Sequence, residues 1–339
     1  MTTPSSAADH PALPPSAQLI QMLFGKHVTY CIAAVAHLGV ADHIGDTAVG
    51  VEELAKKVKA NDLSLYRVMR ALASVGIFAE TTKRNFALTP MAETLKTDAP
   101  GSMRFMAMMT GDTWTSRPFE YITDTVRSGN SAMSAAFGKT VFELLQSSPE
   151  QAQTFNRAMT NLSAMETSSI VNGYDFSGIR QLADVGGGHG FLLSSILDHN
   201  PGMQGVLYDL ASVVTDALAH PRITVESGSF FEKAPAGCDA YIMKHIIHDW
   251  DDDRCTQILK VIGEQLPANG KVLVCEMVVS ENSAPEMVKM LDIEMLMLTD
   301  GGMERTESEF RELFAKAGLR LNRMVRTEGP MCVLEAVRA

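Results

Sequence analysis

The sequence predicts an α/β protein in two parts, a helical domain with a small wing followed by a larger domain built on a parallel sheet. Three observations predict it. From Asp175 onward, short β-rich apolar runs alternate with helical periods, the spacing of βαβ units. The first of those runs ends in a glycine-rich turn, Asp184-Val185-Gly186-Gly187-Gly188-His189-Gly190, that leads directly into a helical segment. Earlier in the chain, helix, turn, helix and hairpin patterns succeed one another between residues 18 and 88.

Taken in order, residues 1–16 are small, polar and proline-rich and read as a disordered tail. No basic stretch followed by an apolar run marks a signal peptide, and no uninterrupted apolar segment reads as long enough to span a bilayer. Residues 18–38 set Leu19, Met22, Leu23, Val28, Ile32 and Val35 at helical spacing, with Gly39 as the C-cap. Short helices follow at 51–57 and 63–72. Residues 76–80 and 86–88 form a hairpin around Lys83-Arg84-Asn85, and Thr89-Pro90 restarts a helix as N-cap and first turn. Over 17–100 this is a winged-helix pattern. Such a pattern serves either DNA binding or plain packing and dimerisation. The formal net charge of −11 favours the second, because phosphate binding needs a basic face.

Residues 101–172 read as a helical bridge rich in Met and Phe. The last part, 173–339, offers strands at 182–185, 206–210, 223–226, 240–245 and 272–278, with helices at 191–197, 211–218 and 254–266 between them. A sheet of this kind binds ligands outside the carboxyl ends of its strands. Five cysteines lie far apart with no C-x-x-C pair and no metal-ligand spacing, which points to reduced thiols, a cytoplasmic setting and no bound metal.

The glycine turn lets a ligand approach backbone with no Cβ in the way. A full dinucleotide fingerprint would need glycine where Phe191 stands. At the end of the second strand, Tyr208-Asp209-Leu210 offers a carboxylate suited to ribose hydroxyls, or alternatively a helix N-cap. After the third, Gly228-Ser229-Phe230-Phe231 offers a hydroxyl and aromatic faces, which equally suit a core.

Four ordered motifs carry a resemblance. Asp184-Val-Gly-Gly-Gly-His-Gly, Tyr208-Asp209-Leu210, Met243-Lys-His-Ile-Ile-His248-Asp249-Trp250 and Gly301-Gly-Met-Glu304-Arg-Thr306 resemble the small-molecule O-methyltransferases of the caffeate and hydroxyindole type. The resemblance runs from about Gln18 to the end. It implies a Rossmann-like class I methyltransferase domain behind a winged-helix dimerisation domain, and hence a homodimer. It also implies S-adenosylmethionine as cofactor, S-adenosylhomocysteine as product and a small aromatic hydroxyl compound as acceptor. Asp184, Gly186, Gly188, Asp209, Leu210, Phe230 and Lys244 would then meet the cofactor, with Trp250 walling the adenine. Many relatives have Asp where this chain has Ser229, so the adenosine contact there departs from the pattern.

Methyl transfer to a phenol needs the hydroxyl proton removed, and phenols hold it to a pKa of ~10. Histidine is neutral and basic near pH 7. His248 lies just past the fourth strand and reads as the base, whereas His245 reads as a structural residue within that strand. Glu276 at the end of the fifth strand and Glu304 after Gly301-Gly302 would project over the same edge and orient the imidazole, as carboxylates do in triads. Glu304 has a plainer reading as helix-end decoration, since Thr306 and Glu309 already form a capping box.

The chain has 21 methionines, and the helix at 287–298 is apolar almost all round and reads as buried. Methionine adapts to irregular aromatic ligands, although core packing is its commoner role. The resemblance nominates Phe155, Met159, Asp292 and Met295 for the acceptor. N- or C-methylation, decarboxylation or hydroxylation on the same fold, and a ligand-sensing winged-helix regulator, are the alternatives.

Overall fold

A computed structural model describes residues 13–215 and 217–339. Most of the tail expected over 1–16 lies outside the described residues, and Pro15 already starts a helix. The chain divides into two compact units, one ending at Asp112 and one starting at Thr113.

In the first unit, the helix expected over 18–38 is two, Pro15–Leu23 and Gly25–Leu38, and Gly39 ends the second in the left-handed conformation (φ 65°). Helices Val51–Lys57 and Asp62–Ser74 follow, the second capped by the Asn61 side chain on the Ser64 N–H. The wing has a strand that the sequence reading lacked. Strands β1 (Val49–Gly50), β2 (Phe78–Thr82) and β3 (Asn85–Leu88) form a sheet in the order β1-β3-β2. Leu54, Met69, Leu72, Phe78 and Phe86 fill the core beneath it. Helix Arg104–Gly111 packs against Gly25–Leu38 so closely that a Cβ on Gly111 would lie 2.2 Å from the Ala33 Cβ.

An 18-residue window within residues 15–38 reaches a mean hydropathy of 1.4, enough by length and composition to cross a bilayer, and only 17% of that window is buried. The expectation that no such segment exists therefore does not hold. Leu19, Ile20, Met22, Leu23 and Phe24 are all exposed.

In the second unit, seven strands among the described residues make one sheet: β4 (Gln181–Val185), β5 (Gln204–Asp209), β6 (Ile223–Ser227), β7 (Ala240–Lys244), β8 (Lys271–Met277), β9 (Leu319–Arg326) and β10 (Met331–Arg338). Their order is β6-β5-β4-β7-β8-β10-β9, parallel from β6 to β8, with β10 antiparallel to both of its neighbours. Ile258, Leu259, Phe310 and Phe314 pack one face, and Ile170, Leu192, Leu193 and Ile196 the other. The connections run outward from β4 in one direction and from β7 in the other. That reversal puts the topological switch point of the sheet at the carboxyl ends of β4 and β7, where α/β sheets take ligands.

Candidate active site

Beyond β4, Gly186, Gly188 and Gly190 all have positive φ (73°, 60° and 84°), and Gly190 caps helix Phe191–His199. A side chain at Gly187 would run into the Asp184 carboxylate and Leu207, each 2.6 Å from its Cβ, whereas a Cβ on Gly188 would meet open space. The turn is therefore bare on its outer side. Asp209, at the end of β5, accepts from the Gly188 N–H through Oδ2 (2.9 Å) and from the Leu210 N–H through Oδ1 (2.7 Å). The expected N-cap bond is absent from these contacts, and the carboxylate closes instead on the glycine turn.

Asp184 is buried, and its Oδ2 has no hydrogen-bond partner among the described residues. Burial lifts its pKa to about 7, with Lys244 opposing and Asp209 adding to the rise. Ser229 and Phe230 lie past β6. The Ser229 Oγ accepts from the Phe231 N–H (3.3 Å), and the Phe230 ring comes within 3.6 Å of where a Gly186 Cβ would be.

After β7 the chain turns sharply at His245 (φ 54°) and enters a short 3-10 turn, Ile247–Asp249. A Cβ on Gly186 would lie 2.4 Å from the Ile246 side chain, so this turn and the glycine turn are immediate neighbours. Glu276, fully buried at the end of β8, accepts from the backbone N–H groups of Ile246, Ile247 and His248 through Oε1 (3.1, 3.0 and 3.4 Å). Glu276 is thus the clamp of the turn. The direct partner of the ring is Glu304, whose Oε1 is 2.7 Å from His248 Nδ1, while the Glu276 Oε2 stands 3.7 Å away. Glu304 carries more than helix decoration. Its own N–H donates to Asp292 Oδ1 (2.8 Å), which commits one oxygen of a residue nominated for the acceptor.

Two further residues hold the turn, both quoted in the fourth motif but given no role by the sequence. The buried Arg305 guanidinium donates to the carbonyls of Ile247 (3.1 Å) and Trp250 (2.9 Å), on either side of His248 and Asp249. Gly302 lies so close that a Cβ there would sit 2.5 Å from the His248 carbonyl oxygen. The Gly301-Gly302-Met303-Glu304-Arg305 run is therefore one device for fixing a histidine. The legible signal is a glycine pair one residue before an adjacent carboxylate and cation.

Burial disfavours the His248 imidazolium, but Glu276, Asp249 and Glu304 outweigh it and push the pKa up to about 10. Asp249 Oδ1 lies 3.7 Å from Nε2, and burial raises its own pKa to about 6. Burial works against the Glu276 charge too, yet His248, His245 and the backbone donors keep its pKa below the ordinary carboxylate value. His245 lies just past the strand it was expected to occupy, its ring centroid 5.0 Å from that of His248. Lys244, the last residue of β7, reaches Glu166 Oε2 at 3.0 Å.

The aromatic and acceptor nominees are distributed as follows. Trp250 stacks on Phe142 (5.7 Å, 18°) and meets Phe231 edge-on (4.8 Å). Phe155 and Met159 are half-buried on helix Pro149–Gly173, with Phe155 edge-on to the buried Trp114. Met295 is half-buried on helix Met287–Leu298. That helix is not buried all round: Met287 and Met290 are 67% and 70% exposed, because its sheet-facing stripe takes Val288 and Leu291 instead.

A family model described as an O-methyltransferase domain matches residues 119–320, and one described as an O-methyltransferase dimerisation domain matches residues 20–98. The chain is 37% identical over 332 residues to phenazine O-methyltransferase PhzM of Lysobacter antibioticus, spanning 96% of this chain and 97% of that protein. It is 33% identical over 328 residues to the mitomycin biosynthesis 6-O-methyltransferase of Streptomyces lavendulae, spanning 94% and 93%. CalO1, a methyltransferase in calicheamicin biosynthesis solved with S-adenosylhomocysteine bound, matches with a TM-score of 0.87 at 32% identity, over 98% of this chain and all of that one.

Proposed function

The chain belongs to the S-adenosylmethionine-dependent O-methyltransferases with an N-terminal dimerisation domain, and we propose that it methylates a hydroxyl of a small aromatic, natural-product-like compound with His248 as general base. One observation carries the role of His248. Its Nδ1 is held by the buried Glu304 at 2.7 Å on a turn that adjoins the glycine turn, which leaves Nε2 as the nitrogen for proton exchange with an acceptor.

The residues present fit the cofactor. The unpartnered Asp184 Oδ2 suits an ammonium group, the bare outer side of Gly188 admits close approach, and each Asp209 oxygen retains a lone pair for a ribose hydroxyl. Gly186, Leu210, Ser229, Phe230, Lys244 and Trp250 complete the proposed set around it. S-adenosylmethionine supplies, when bound, an electrophilic methyl group on a sulfonium.

The protein's own part is positional and acid–base. His248 Nε2 takes the hydroxyl proton as the acceptor oxygen attacks. Glu304 keeps the other proton on Nδ1, fixes the tautomer and stabilises the imidazolium that forms. Glu276 and Arg305 hold the turn so that the ring does not swing. Phe155, Met159 and Met295 offer soft and aromatic surface to a flat acceptor, and Asp292 supports Glu304 from behind.

An aromatic acceptor is favoured by these side chains and by the phenazine and mitomycin relatives. The exposed apolar residues of Pro15–Leu38 fall largely within the stretch matched by the dimerisation model, which favours their burial in a homodimer. The cysteines are all free thiols, as suits a reducing cytoplasm. The test is incubation with S-adenosylmethionine and a panel of phenols and hydroxyphenazines, with mass detection of products. Amine methylation with every phenol left untouched would replace this reading with N-methylation.

A further inference from the structure

We propose that Glu166 is a positioning residue of the active site: one buried carboxylate holds Lys244 and His245 together, and through His245 it keeps Glu276 turned toward His248. The proposal rests on the reading of His248 as the base.

Glu166 lies on helix Pro149–Gly173, the helix that also carries Phe155 and Met159, and is only 4% exposed. A carboxylate so placed is costly to bury unless it is paired. Both its oxygens are 3.0 Å from His245 Nε2, and Oε2 is also 3.0 Å from Lys244 Nζ. His245 adopts a left-handed backbone (φ 54°), which a β-carbon makes unfavourable and which persists only where surrounding contacts over-determine it. That conformation brings His245 Nδ1 to 3.6 Å from Glu276 Oε2.

These two atoms are both buried, neither has a hydrogen-bond partner among the described residues, and they face each other across 3.6 Å, with His248 Nδ1 at 3.7 Å from the same Glu276 oxygen. The charged and titratable groups facing His245 are Glu166, Glu276, Lys244 and His248, with Asp249 and Glu304 also within its field. Burial would strip its charge, but Glu166 and then Glu276 raise its pKa overall. The result is a row of alternating sign, Lys244, Glu166, His245, Glu276, His248 and Glu304, that ties the helix bearing Phe155 and Met159 to the base. A plain helix-to-sheet ion pair would need only Lys244.

Glu166→Gln, His245→Gln and the double variant test this, by turnover across pH and by NMR titration of 15N-histidine-labelled, cofactor-free protein. Each single variant is expected to lose roughly 10- to 100-fold in kcat with little change in KM, the scale of a misplaced catalytic group. The double variant is expected to lose no more than the worse single one, and His245 to titrate at lower pH in Glu166→Gln. A Glu166→Gln protein with kcat and pH profile like the unaltered chain would overturn the proposal, even with a lowered melting temperature. If that variant does not fold, His245→Gln decides by the same measure. Loss of turnover in His248→Ala alongside an unaffected Glu166→Gln would sink only this inference. Full turnover in His248→Ala would sink the base itself.

Discussion

Glu276 stands between two histidines, its Oε2 3.7 Å from His248 Nδ1 and 3.6 Å from His245 Nδ1, while its Oε1 accepts three consecutive backbone N–H groups. This separates the duties of the two glutamates. Glu304 bonds the ring and Glu276 bonds the chain that carries it. Glu304→Gln should therefore lower turnover by roughly 10- to 100-fold at an almost unchanged melting temperature. Glu276→Gln weakens three charge-assisted bonds to the backbone of the turn at once and should also lower the melting temperature, by roughly 5 °C or more. Equal melting temperatures for the two variants would show that the division of labour is wrong.

Replacing His248 with Ala removes the ring that Glu304 holds in place. Turnover should fall roughly 10²- to 10⁴-fold, the usual contribution of a general base. Cofactor affinity by calorimetry should persist, since the glycine turn and Asp209 are built independently of the ring. Unchanged turnover would remove His248 from the mechanism.

The acid limb of the rate profile should sit high. With three carboxylates around it, the free-enzyme ring holds its proton to about pH 10, and only the neutral ring can act as base. The limb of kcat/KM reports the free enzyme and the limb of kcat the loaded one. So kcat/KM should still be rising above pH 8, whereas the kcat limb should lie lower, because a cation brought into the cleft disfavours a second positive charge. Glu304→Gln should move both limbs to lower pH. A kcat/KM plateau already reached at pH 7 would contradict the charge balance drawn for this site.

Asp209 bonds Gly188 and Leu210 with one oxygen each. Its removal should loosen the glycine turn and delete the acceptors proposed for ribose hydroxyls. Hydrogen bonds to a charged group contribute about 1.5–3 kcal/mol, so Asp209→Ala should weaken S-adenosylmethionine binding by roughly 10- to 100-fold. Normal affinity would confine Asp209 to a role in the turn alone.

Much of this was legible because local chemistry and tertiary position coincide. Gly39, Thr89 and the Thr306–Glu309 box cap their helices as the sequence implies, and β4 to β8 fall within a residue or two of their apolar runs. The antiparallel pair β9 and β10 went unread although Leu319 and Leu321 alternate with polar residues and a Glu328-Gly329-Pro330 turn separates the strands. Glu166 was illegible for a deeper reason. On a mostly polar helix a glutamate looks like a solvated face, and only the fold reveals that Lys244 and His245 wait for it 78 and 79 residues along the chain. The backbone of His245 was illegible too, since a strand pattern gives no sign of the left-handed conformation just past Lys244.

Gly302 offers the sharpest steric test. Its N–H donates to Thr299 Oγ1 (2.9 Å), and a Cβ would fall 2.3 Å from that oxygen and 2.5 Å from the His248 carbonyl. Neither neighbour can give way cheaply, because the carbonyl belongs to the turn that Glu276 and Arg305 clamp. Gly302→Ala should displace the turn and cost roughly 100-fold in turnover, as a shift of about 1 Å in a catalytic group does. Gly202→Ala is the control: a Cβ there meets nothing within 4 Å, and activity should be unchanged. Equal turnover for the two variants would mean that the backbone of His248 tolerates movement, and the tight cradle would then be irrelevant to the reaction.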